Sequence, residues 1–159
     1  MKIRIGFVSN SSSASFIVIN AKEGHTSKHE YDFLIDENGI LTIDSSFGCC
    51  EFGWGPDTIH EVSSRIIFSY IQAHYVKNKK WIKMLEKVIK EHFPKVKEII
   101  WKLKDDVKNY NAFIDHQSAS SEGENTEMFD CIGKLKDFIF GKDSKIELDN
   151  DNHWGKLWK

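Results

Sequence analysis

The hydrophobic period of this sequence changes at Gly55-Pro56, and that change limits the folds open to it. Upstream, apolar residues recur at every second position or in short β-branched runs, as strands require. Downstream they recur at spacings of three and four, as helices require. In KIRIGFV at 2–8, Ile3, Ile5 and Phe7 alternate with Lys2 and Arg4, which predicts a half-buried strand. Phe16-Ile17-Val18-Ile19 predicts a second, more buried one. Tyr31 to Ile35 and Ile40 to Ile43 flank Asp36-Glu37-Asn38-Gly39, and Asn-Gly predicts a hairpin turn between them. Residues 1–50 thus predict a small antiparallel sheet of about four strands.

Beyond Pro56, Asp57 is placed to cap a helix carrying Ile59, Val62, Ile66, Tyr70 and His74, running to about Lys77. A second helix carries Trp81, Leu85, Val88 and His92 and is stopped by Pro94. Val96 to Leu103 fits either a strand or a helical turn, and Tyr110 to Ile114 alternates as a strand does. Gln117 to Thr126 reads as a polar loop. Met128, Ile132, Leu135 and Ile139 predict a third helix, with Gly141 as its left-handed C-terminal residue. Lys145 to Leu148 predicts a last short strand. The class is α+β, a small mainly antiparallel sheet with about three helices packed on it. One domain is expected over 1–159: strand-rich to 50, a helical pair over 56–94, and a mixed remainder over 95–159.

A chain of 159 residues with 40% hydrophobic side chains buries enough surface to fold without a disulfide or metal staple. A net charge of -2 gives no general pull toward nucleic acid, which argues against it as the partner. The local exception is lysine-rich: Lys77, Lys79, Lys80, Lys83, Lys87 and Lys90 crowd one predicted helix and normally form a solvated face. No apolar run reaches the length of about 18 residues that a membrane span needs. The opening MKIRIGFV turns polar too soon for a signal peptide. Three cysteines, two of them adjacent, do not make a disulfide framework, so a cytoplasmic chain with reduced thiols is expected.

Three polar stretches are candidates for a binding site. SNSSSAS at 9–15 places Ser9, Asn10 and Ser11 between two predicted strands, where hydroxyls and backbone N–H groups can meet a ligand. The glycine spacing and lysine of a P-loop are missing, as is the G-x-S-x-G of an exposed serine nucleophile. A turn whose side chains satisfy their own backbone is the plain alternative. DHQS at 115–118 puts Asp115, His116 and Gln117 at a strand end, a common support for binding residues. DNDNH at 149–153 is the densest cluster. Asp149, Asp151 and His153 alternate onto one face of an extended segment, with Asn150 and Asn152 between them. Such a set suits a divalent cation or hydrogen bonds to a base or ribose, whereas a solvated tail is the simpler alternative. It is no EF-hand, because its glycine falls late and no twelfth-position Glu follows.

Trp54 is an aromatic candidate beside Cys49 and Cys50, which no CxxC spacing links to zinc and which are expected as buried structural thiols. His25 and His29 stand four apart without the glutamate of HExxH. His74 and His92 fall on core-side helical stripes and are expected as packed side chains.

The opening MKIRIGFVSNSSSASFIV resembles that of a group of small proteins of bacteriophages and low-GC Gram-positive bacteria that begin MKIR-x-GFVSNSSSSSF. Ala14 stands here for a serine of that pattern. FGWG at 52–55, DHQS and DNDNH are similar to stretches recurring in such proteins. The resemblance implies origin rather than activity: a phage or mobile-element protein whose shared opening is an address or a folding element.

Three functions fit these readings. The favoured one is a non-enzymatic phage-type binding protein in the host cytoplasm, interfering with a host defence process by holding a host protein or a small signalling nucleotide. The aromatic share of 13% suits stacking or interfaces, and no cofactor is expected. The second is a metal-dependent hydrolase or nuclease using Asp149, Asp151, His153 and His116. The third is an assembly component of the phage. A homodimer through exposed sheet edges is compatible with each.

Overall fold

The computed structural model describes residues 16–49, 52, 57–104 and 126–148. The predicted strand at 2–8, the alternating segment at 110–114 and the loop at 117–125 lie outside them. The described elements are five strands, two 3-10 helices and three α-helices. The class expected from the sequence, α+β, is the one formed.

Strand β1 (Phe16–Val18), β3 (Asp57–Ile59) and β5 (Lys145–Leu148) form one antiparallel sheet in the order β1-β5-β3. Ile146 sits opposite Ile17 on one side and Ile59 on the other, and all three are buried. Cross-strand apolar contacts of this kind fix the register, since a slip of one residue would turn Ile146 outward. Strand β2 (Ile40–Ile43) instead pairs in parallel with β4 (Glu98–Trp101), aligning Leu41 with Ile99 and Ile43 with Trp101.

The hairpin expected over 31–43 is therefore only half present. Its turn forms: Gly39 N–H donates to the Asp36 carbonyl at 3.0 Å, and Asp36 Oδ1 accepts from the N–H groups of Asn38 and Ile40. The segment before it, Lys28–Leu34, is a 3-10 helix, and one bridge between Ile35 and Leu41 remains of the expected ladder. That segment, KHEYDFL, holds no β-branched residue to favour an extended chain. Tyr31 is also drawn into the core, meeting Phe47 and Phe93 with ring centroids 6.2 and 5.7 Å apart. With 28–34 removed from the sheet, β2 finds its partner at 98–101, so that the ambiguous stretch forms a strand over those four residues. Among the described residues, the pairing expected between 31–35 and 40–43 gives way to one with a distant segment, and β1 also pairs far along the chain.

Helix α1 (Val62–Tyr75) starts later than expected. Asp57 does not cap it, because residues 57–59 are used as β3 and Ile59 is buried against Ile146. Glu61 stands at the helix start without a side-chain cap bond. Every residue from Val62 to Ala73 is buried, including Ser63, Ser64, Arg65, Ser69 and Gln72. Ser69 Oγ donates back to the Arg65 carbonyl at 2.8 Å, which removes one polar group from the balance of this central helix.

Helix α2 (Lys79–His92) is amphipathic, with Leu85, Val88, Ile89 and His92 buried. Asn78 caps it by accepting from the N–H groups of Lys80 and Trp81. Pro94 follows its last turn, as expected. Met128 lies in a 3-10 turn, Glu127–Asp130, and helix α3 (Ile132–Phe140) begins beyond it. Cys131 caps α3, its Sγ accepting from Lys134 N–H at 3.4 Å. The three helices contact one another. Their inner faces and those of both sheets share one continuous apolar core that includes Ile17, Ile43, Ile59, Phe68, Leu85, Phe138 and Ile146.

Gly141 departs from the expected left-handed ending. Its φ is −61°, open to any residue. The position needs glycine for a different reason: a Cβ there would stand 2.2 Å from the Asn20 carbonyl oxygen and 2.3 Å from that of Asp137. Close backbone approach, not handedness, sets the residue.

Candidate functional site

Ser9, Asn10, Ser11, Trp54, Asp115, His116, Gln117, Asp149, Asn150, Asp151, Asn152 and His153 all lie outside the described residues, as does Cys50. The geometry on which a site can be built therefore comes from other side chains, at three places.

The first place is the end of α3. Arg65 is 1% exposed, and its Nη1 donates to the carbonyls of Phe138 at 2.7 Å and Gly141 at 2.8 Å. These are carbonyls that a helix end leaves without intrahelical partners, and a cation there also complements the helix dipole. Burial pulls the guanidinium pKa down to about 10, so Arg65 keeps its charge at neutral pH. Beside it, His25 Nε2 lies 3.1 Å from Asp137 Oδ1, and Ser144 is fully buried. An Asp, a His and a Ser so close together invite comparison with a nucleophilic triad. The hydroxyl rules this out for Ser144: its Oγ meets the carbonyls of Asp137 at 2.6 Å and Asn20 at 3.0 Å, and accepts from Asn20 N–H. Its hydrogen-bonding capacity is spent on backbone, and it closes the chain around Gly141.

The second place is an open groove of about 240 Å³ between the 28–34 helix and the end of α2. Ile35, Phe93 and Pro94 give it an apolar floor, and Lys28, Asp32 and Lys95 stand at its rim. Pro94 ends α2 and turns the chain, with Val96 N–H donating to the Phe93 carbonyl at 2.9 Å. Phe93 is anchored from below, its ring edge-on to Tyr31 and to Phe140. Lys95 Nζ is 3.4 Å from Asp32 Oδ2, but both side chains are well exposed and such a pair holds weakly. Lys28 and Lys95 are exposed cations able to turn toward an anion in the groove.

The third place is the outer face of α2. Lys79, Lys80, Lys83, Lys87 and Lys90 are all exposed, with a shallow trough of about 440 Å³ between Lys83, Glu86, Lys87, Lys90 and Glu91.

Cys49 departs from expectation, exposed rather than buried, its backbone N–H donating to Ser64 Oγ at 2.9 Å; Cys131, for which no burial was expected, is exposed as well. His92 is packed in the core as expected, whereas His74 is half-buried and stacks on Tyr70. Among the described residues, no three His, Cys, Asp or Glu side chains gather as a metal site requires. None of the described helices is long and apolar enough to cross a membrane.

Sequence reasoning missed the groove. Its lining comes from residues 28–35 and 93–95, which no motif connects, and only Pro94 as a helix stop gave any sign of it. No protein-family model, curated protein or solved structure matches this chain.

Proposed function

We propose that this chain is a non-enzymatic binding protein of phage type that interferes with a host process by holding a small phosphorylated ligand, such as a signalling nucleotide. The observation that carries the reading is the groove beside Phe93: an apolar floor of Ile35, Phe93 and Pro94 with Lys28, Lys95 and the weakly paired Asp32 at its edge. Apolar floors with a few convergent polar groups are what small-molecule sites are made of. A planar base suits the floor, and a phosphate suits the two ammonium groups. Phage origin and action on a host rest on the resemblance of the opening MKIRIGFVSNSSSASFIV.

The test is thermal unfolding against mono-, di- and cyclic nucleotides. Saturation at about a hundred times Kd adds roughly 2.7 kcal/mol. For this length that is a shift on the order of 5–10 °C. Lys28→Glu with Lys95→Glu abolishes the shift if the groove is the site. A panel that leaves the midpoint unmoved removes the small-ligand reading and leaves the host-protein one.

A further inference from the structure

We infer that the outer face of α2 is a contact surface for the phosphate backbone of double-stranded nucleic acid, a site separate from the groove and not dependent on it. At 3.6 residues per turn, Lys79, Lys80, Lys83, Lys87 and Lys90 all fall within about 50° of the direction opposite the buried Leu85, Val88, Ile89 and His92. They form one ridge, with Lys80 and Lys90 about 15 Å apart along the axis. Five lysines against two glutamates leave the helix a formal +3, while the whole chain carries -2. The helix thus carries a local excess of positive charge on a chain that is negative overall.

Glu86 is engaged at one flank of the ridge, whereas Glu91 at the other forms only a weak, exposed pair with Lys87. Glu86 Oε1 accepts from Trp101 Nε1 at 3.1 Å, and Glu91 lies 3.8 Å from Lys87. Among the described residues, no ion pair engages Lys79, Lys80, Lys83 or Lys90. Lys79 and Lys80 also occupy the first turn of α2, where the helix dipole disfavours cations and no acidic residue compensates them. A local rule broken with no acidic residue in the same turn is a mark of a functional surface.

The chemistry of the ridge selects among anionic partners. Protein interfaces are anchored on buried aromatic and arginine side chains and are depleted in lysine, and this ridge has lysine only. Backbone contact with a duplex needs point cations and nothing more. A duplex presents about nine charges over the 15 Å of the ridge, through one per roughly 1.7 Å.

The experiment is fluorescence anisotropy of the full chain with a labelled DNA duplex, titrated in 50 and 200 mM salt. Three or four phosphate contacts predict affinity falling roughly 40- to 150-fold between those salts. Lys83→Glu with Lys87→Glu should weaken binding at least ~10-fold and lower the salt slope by about two. Lys22→Glu with Lys142→Glu makes the same charge change at exposed sites elsewhere and should leave the slope unchanged. Lys83→Gln with Lys87→Gln should preserve the ordering with half the charge change, and unfolding midpoints confirm that each variant is folded. Absence of binding in 50 mM salt, equal weakening by both glutamate pairs, or tighter binding of poly-glutamate than of the duplex overturns the assignment. The last outcome would give the ridge to an acidic protein. A nucleotide shift that survives Lys83→Glu with Lys87→Glu keeps the two sites distinct.

Discussion

The His92 imidazole lies flat on the Phe140 ring, with centroids 3.7 Å apart and planes 9° from parallel. Phe93 meets the same imidazole edge-on at 4.7 Å, and His92 Nε2 has no hydrogen-bond partner among the described residues. Burial, with Lys28, His25 and Lys136 adding like charge, pushes its pKa from 6.5 down to about 4.

A pH dependence follows from that environment. Between about 4 and 6.5 the unfolded chain binds a proton that the folded chain refuses, so stability rises with pH. The contribution is complete above 6.5 and is lost as the pH falls toward 4. It amounts to at most ~3 kcal/mol. Urea unfolding of the native chain and of His92→Phe, from pH 7 to pH 4, isolates it: the variant should lose this part of the slope. Identical slopes would place the titration on other groups.

Arg65 is expected to be the costliest polar side chain to replace. Arg65→Met keeps most of the volume but leaves the Phe138 and Gly141 carbonyls buried without their donor. The expected loss is about 2–4 kcal/mol, measured as a lower urea midpoint with an unchanged m-value. A loss under half a kcal/mol would mean those carbonyls find other donors.

Gly141→Ala tests close approach against handedness. With φ at −61° the backbone accepts alanine, yet the new methyl meets two carbonyl oxygens. The expected cost is about 2–3 kcal/mol, or a midpoint roughly 5–10 °C lower. A neutral result would mean that the chain at Asn20 moves away freely.

Gly39→Ala should destabilise through both causes at once. Its φ is +84°, and a Cβ would lie 2.6 Å from the Lys95 carbonyl oxygen. About 1–3 kcal/mol is expected. The turn also carries Lys97 N–H to the Gly39 carbonyl at 2.8 Å, so amide exchange at Lys97 should accelerate in the variant.

Local signals carried well where the chain decides locally. The turn at 36–39, the second helix with its Pro94 stop, and the strand at 145–148 are all present at or near their expected bounds. Asn-Gly chemistry, a one-sided apolar stripe and a missing proline N–H act within a few residues, so sequence alone exposes them. The lysine ridge was legible for the same reason. The groove was not, because residues 28–35 and 93–95 meet only when Tyr31, Phe93 and Phe140 pack together.

By itself the sequence determined the α+β class, α2, the tight turn at Gly39 and the charge of the outer helix face, since each rests on spacing or on one residue's backbone. Tertiary structure decided the pairing. Residues 28–34 became a 3-10 helix, Asp57–Ile59 became a strand instead of a helix cap, and β2 chose β4 over its neighbour. Those choices follow from burying Tyr31, Ile59 and Ile43 in one shared core, a free energy that depends on residues far apart in the chain and leaves no local mark.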